Sequence, residues 1–135
     1  MRWGRRAGVV LVLLIAATAS AAIAQSLQPL IAQPLQPLVV DWEQYFRIDA
    51  ESSTRGGRTV VTGTVWNTAP WGAKRIQLLV DALDEQGHVV NQRVTRLGID
   101  LAAGTHAAFE VPMPPAASYR VRIFAFDSGH GGRWS

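Results

Sequence analysis

Period-two alternation of apolar residues constrains this chain more than any other feature of its sequence. Tyr119, Val121, Ile123 and Ala125 alternate with Arg120, Arg122, Phe124 and Phe126. Ile76, Leu78, Val80 and Ala82 alternate in the same way with Gln77, Leu79, Asp81 and Leu83. Successive side chains of a strand point to opposite faces, so each run reads as a strand with one face turned to a core. From Thr59 onward, Val61, Gly63 and Val65 oppose Thr62, Thr64 and Trp66. Ala107, Phe109 and Val111 line one face of a further strand, which the prolines of residues 112–115 are expected to stop.

Turn signals separate these runs. Residues 67–72 read NTAPWG, and Ala103-Gly104 marks a later break. Asp84-Glu85-Gln86-Gly87 places glycine where a hairpin needs positive φ, with residues 89–94 as the returning strand. Residues 39–48, VVDWEQYFRI, read either as an edge strand or as a short helix. Six or seven short strands with no long amphipathic stretch predict an all-β sandwich or barrel over residues 39–127, and residues 128–135 read as a loose tail.

The N-terminus carries a different kind of information. Arg2, Arg5 and Arg6 precede an apolar run at residues 8–17, and small residues follow, ending in Ala22-Ile23-Ala24. A basic head, a short apolar centre and an A-x-A end make residues 1–24 a secretory signal peptide with its cut after Ala24. The competing reading is an uncleaved anchor, at the short end of the roughly 17–25 residues that span a bilayer. The expected product is exported, periplasmic or extracellular, and would meet a membrane only through an uncut signal. Residues 25–38 follow without a charge and with prolines at 29, 34 and 37, and Leu-Gln-Pro-Leu occurs twice, at Leu27 and at Leu35. Prolines so spaced exclude a helix and predict an extended linker, read either as a spacer or as a ligand for a proline-binding groove.

One resemblance covers most of the remaining chain. The run Gly63-Thr64-Val65-Trp66-Asn67 leads to an apolar strand ending in Asp84 before Gln86-Gly87. After these come Leu101-Ala102-Ala103-Gly104, Phe109-Glu110-Val111 and Tyr119-Arg120-Val121. This pattern is similar to that of FxLYD-type domains and related bacterial envelope domains of unknown function. Val80-Asp81-Ala82-Leu83-Asp84 keeps only the last residue of F-x-L-Y-D, and Ala103 stands where that family has proline. The resemblance implies an immunoglobulin-like antiparallel β-sandwich and brings no catalytic residue with it.

Chemistry-bearing residues are sparse. The chain has no cysteine, which removes disulfides, thiolate metal sites, Cys nucleophiles and a lipidated N-terminal Cys. Of 13 Lys and Arg, three lie in the first six residues, and the rest balance the 10 Asp and Glu, so no basic footprint for nucleic acid remains. His88, His106 and His130 form no recognisable ligand motif, and Asp81, Asp84 and Glu85 read as a solvated hairpin turn rather than a calcium loop. We therefore expect no enzyme, metal or cofactor. Candidate binding residues are Trp66 and Trp71, which bracket the 67–72 turn, and Arg120 and Arg122 on the last strand. Trp66 reads either as core or as a surface anchor, Trp71 as an end cap or an exposed platform, and the arginines as an interface or as a solvated face whose two phenylalanines, Phe124 and Phe126, turn inward at the strand end. The expected function is a non-enzymatic binding or adaptor module of the cell envelope that contacts another protein. The alternatives are a carbohydrate-binding module using its loop tryptophans, and a chaperone- or inhibitor-like domain that acts by strand pairing.

Overall fold

A computed structural model describes residues 30–128 of the chain. The signal peptide expected over residues 1–24 lies outside the described residues, as do residues 129–135 of the tail. A 3-10 turn, Trp42–Gln44, precedes six strands: β1 (Phe46–Arg55), β2 (Arg58–Asn67), β3 (Ala73–Leu83), β4 (Val89–Arg96), β5 (His106–Met113) and β6 (Ser118–Ser128). They form two antiparallel sheets of order β1-β2-β5 and β4-β3-β6. Val61, Val65 and Val111 of the first sheet share a core with Ile76, Leu78, Val80 and Ile123 of the second. The protein is thus an all-β sandwich whose chain crosses between sheets after β2, β4 and β5, as in immunoglobulin-like folds.

Three departures from the sequence reading have local causes. Residues 39–48 hold the end of the N-terminal segment, the 3-10 turn and only the first residues of β1, which continues to Arg55. Gly56 and Gly57 both have positive φ, 56° and 76°. They close a hairpin that pairs β1 with β2 from Phe46–Asn67 to Arg55–Arg58. Strand β5 runs through Pro112 rather than stopping there, because it pairs only with β2 and an edge strand can spare one donor. Finally, β6 bulges. Gln77 pairs with Ala125 and Leu78 with Ile123, so Phe124 is an extra residue and the facing of the strand flips beyond it. Phe126 therefore enters the core, as expected of the phenylalanines at the strand end, and takes the place that simple alternation gives to Ala125.

Residues 31–38, expected to act as a spacer, lie on the sandwich. Ile31 N–H donates to the Val89 carbonyl of β4, and Leu38 N–H donates to the Phe124 carbonyl of β6. The segment crosses the outside of β4-β3-β6 as a strap. Ile31, Pro34 and Pro37 are its half-buried residues, a spacing of three that matches the turn of a polyproline helix. Beneath it, Leu79 and Asp81 point away from Leu78 and Val80 of the core, yet both are fully buried. The outside of this sheet is accordingly a second, covered layer.

Candidate functional site

The covered layer is built around Asp81. It stands in the middle of β3 in the run Leu78-Leu79-Val80-Asp81-Ala82, so the register of two neighbouring strands decides its partners. Arg120 and Arg122 come from β6, opposite Asp81 and Leu79 respectively, and Gln92 comes from β4, opposite Asp81. Asp81 Oδ2 accepts from Arg122 Nη2 at 2.6 Å and from Arg120 Nε and Nη2 at 2.9 and 2.8 Å. Asp81 Oδ1 accepts from Gln92 Nε2 at 2.8 Å. A buried carboxylate is stable only when paired and hydrogen-bonded, and here three side chains do this. Arg122 is nearly covered, with 15% of its side chain exposed, whereas Arg120 is 44% exposed.

The strap sits on this cluster through four polar contacts. Leu35 N–H donates to Gln92 Oε1 at 2.8 Å, and Gln92 Nε2 returns a bond to the Leu35 carbonyl at 3.0 Å. Arg122 Nη1 donates to Gln36 Oε1 at 3.1 Å, and Leu38 N–H reaches the Phe124 carbonyl at 2.8 Å. The strap's other side faces solvent. Leu30, Leu35, Leu38 and Val40 are 54%, 49%, 70% and 90% exposed, and only Val94 and Ile99 join them as exposed large apolar residues among those described.

The two tryptophans do not form one surface. Trp66 lies on the open outer face of β1-β2-β5, between its cross-strand partners Arg47 and His106. The Arg47 guanidinium stacks 4.1 Å from the Trp66 ring, and His106 is tilted against it at 5.9 Å. Asp49, Glu51, Thr62, Thr64 and Trp66 line a shallow groove of about 290 Å³ on this face. Trp71 packs instead against the end of the core, stacked on Phe126 at 5.9 Å and tilted on Tyr45 at 5.2 Å. Asn67 clamps the turn between them. Its buried amide donates to the Trp71 and Leu101 carbonyls at 2.9 and 3.0 Å and accepts from Ala69 N–H at 3.0 Å. Trp66 is therefore a surface residue and Trp71 an end cap.

Asp81 also departs from its reading as a turn acid, since only Asp84 and Glu85 are at the hairpin. Asp84 Oδ1 accepts from Gln86 and His88 N–H, at 3.0 and 2.8 Å. Desolvation pushes the Asp84 carboxyl pKa upward, but those backbone bonds together with the charge and side chain of His88 outweigh it and hold the group below its ordinary value. The sequence reasoning missed Gln92, Gln36 and Arg47. An Asp inside an otherwise apolar strand is itself a signal that two or three polar partners lie alongside.

Among the described residues, no group of three or more His, Asp or Glu side chains is placed to hold a metal ion, and no helix is long and apolar enough to cross a membrane. No protein-family model matches the chain, and comparison with curated proteins and with solved structures finds no match.

Proposed function

We propose that this chain is an exported, non-enzymatic binding or adaptor module of the bacterial cell envelope that contacts another protein. The observation that carries this reading is the exposure of Leu30, Leu35, Leu38 and Val40, four of the six exposed large apolar residues among those described, in and beside the strap. Exposed large apolar side chains concentrated in one stretch of chain suit a protein contact. Asp81, Arg122 and Asn67 are engaged in holding strands, strap and turn together.

The test is a cross-linked pull-down from whole envelope, comparing the native chain with Leu38→Ser/Val40→Ser. Loss of one protein from the variant is the expected result. Identical recovery by both chains, or no specific recovery, would count against the reading.

One observation favours a second reading. In the Trp66 groove an indole lies beside the Asp49 and Glu51 carboxylates and the Thr62 and Thr64 hydroxyls. This set suits a sugar, whose hydroxyls donate to carboxylates and whose ring would take the place of the Arg47 guanidinium on the indole. Quenching of tryptophan fluorescence by soluble glycans, lost in Trp66→Ala, is its signature.

A further inference from the structure

The inner side of the strap carries an inference independent of those exposed side chains. The contacts across β4-β3-β6 are of a kind that a separate peptide could make. Gln92 pairs with both the N–H and the carbonyl of Leu35, as a neighbouring strand would, and the Phe124 carbonyl takes the N–H of Leu38. These bonds read backbone only. Sequence is read at Gln36, whose amide oxygen accepts from Arg122, and at Pro34 and Pro37, which are half-buried against the sheet. The leucine side chains between them face solvent. The unit recognised is thus Pro34-Leu35-Gln36-Pro37, or Pro-x-Gln-Pro.

The reading side chains are also set independently of the strap. Asp81 accepts from Gln92 and Arg122 as well as from Arg120, so both groups that meet the strap are anchored from below by one buried carboxylate. Preorganised groups lose less on binding than free ones. Arg122 Nε is buried and has no hydrogen-bond partner among the described residues.

We propose that the outer face of β4-β3-β6 is a recognition groove for an extended Pro-x-Gln-Pro peptide of a partner polypeptide, and that residues 31–38 occupy it as a tethered competitor. Because the tether gives the strap a high effective concentration, a free peptide meets a mostly filled groove. Its apparent affinity is lowered by the fraction of time the groove is closed, and weakening the strap restores it.

The experiment uses the full chain and a fluorescent heptapeptide with the sequence of residues 33–39, QPLQPLV. In the variant Gln36→Lys/Pro37→Gly the strap loses its amide acceptor and one ring, and gains a charge facing Arg122. The expected result is peptide binding at least about ten-fold tighter to this variant than to the native chain, abolished when Gln92→Ala is added. Equal affinity for both chains, no binding to a folded variant, or binding that survives Gln92→Ala would each overturn the proposal. Hydrogen exchange on the native chain gives a second arm that needs no variant. Excess peptide should speed exchange of the Leu38 amide, and a peptide with glutamine replaced by alanine should not. Unchanged exchange would overturn the proposal. A protein captured from envelope and unaffected by excess heptapeptide would overturn this inference while leaving the adaptor reading in place.

Discussion

Arg122 of β6 and Asp81 of β3 meet at 2.6 Å on the side of their sheet away from the core, and Asp81 is fully buried there. The pair is sealed by the chain's own N-terminal segment. Removing the carboxylate leaves Arg122 largely covered without its counter-charge and unties Gln92. Asp81→Ala should cost about 3 kcal/mol of stability. Asp81→Leu combined with Arg122→Met should recover much of the loss, because apolar groups of similar volume need no partner. Urea unfolding midpoints of the three chains check this, and equal midpoints for Asp81→Ala and the native chain would contradict the buried pairing.

Trp66 and Trp71 should respond differently to truncation. Trp66 is half-buried on an open face, so Trp66→Ala should cost about 1 kcal/mol, mainly its stacking with Arg47. Trp71 closes the core end against Phe126 and Tyr45, so Trp71→Ala should cost about 2–3 kcal/mol. Thermal unfolding of both variants decides the matter, and a larger loss at Trp66 would reverse the assignment.

Gly63 is set by close approach. A Cβ there would lie 2.7 Å from Phe109 Cζ and press on the Asp49 carbonyl. Gly63→Ala should therefore cost about 3 kcal/mol through displacement of β1 together with the Phe109 ring. An unchanged unfolding midpoint would contradict this close approach of β1 to Gly63.

Acid should weaken the β3–β4 hairpin through Asp84. Its folded pKa is below the ordinary value of 3.8, so its contribution is fully present above that pH and is lost as pH falls through the folded value. Asp84→Asn should destabilise near neutral pH and make no difference in strong acid. Unfolding temperatures of the two chains across that range test the sign, and curves that stay parallel would contradict it.

Much of the fold was legible because strands leave a period-two record. The opposed faces of β2, β3 and β5 and the hairpin at Gly87 follow from residue type alone. Gly56-Gly57, between Thr54-Arg55 and Arg58-Thr59, is an equally plain hairpin signal, and reading it would have placed β1. The site was less legible. Arg120 and Arg122 stand out as arginines on a strand, yet nothing local says that they converge on Asp81, 39 and 41 residues away.

The sequence by itself determined the class: alternation demands sheets, and prolines at 34 and 37 keep residues 31–38 from forming a helix. The tertiary structure decided the sides. A one-residue bulge at Phe124 turned Phe126 inward, and strand order put Gln92 and Arg122 on either side of Asp81. The strap turned the outside of a sheet into a buried layer. Each of these depends on which backbone lies beside which, and the pattern along one strand carries no record of its neighbours.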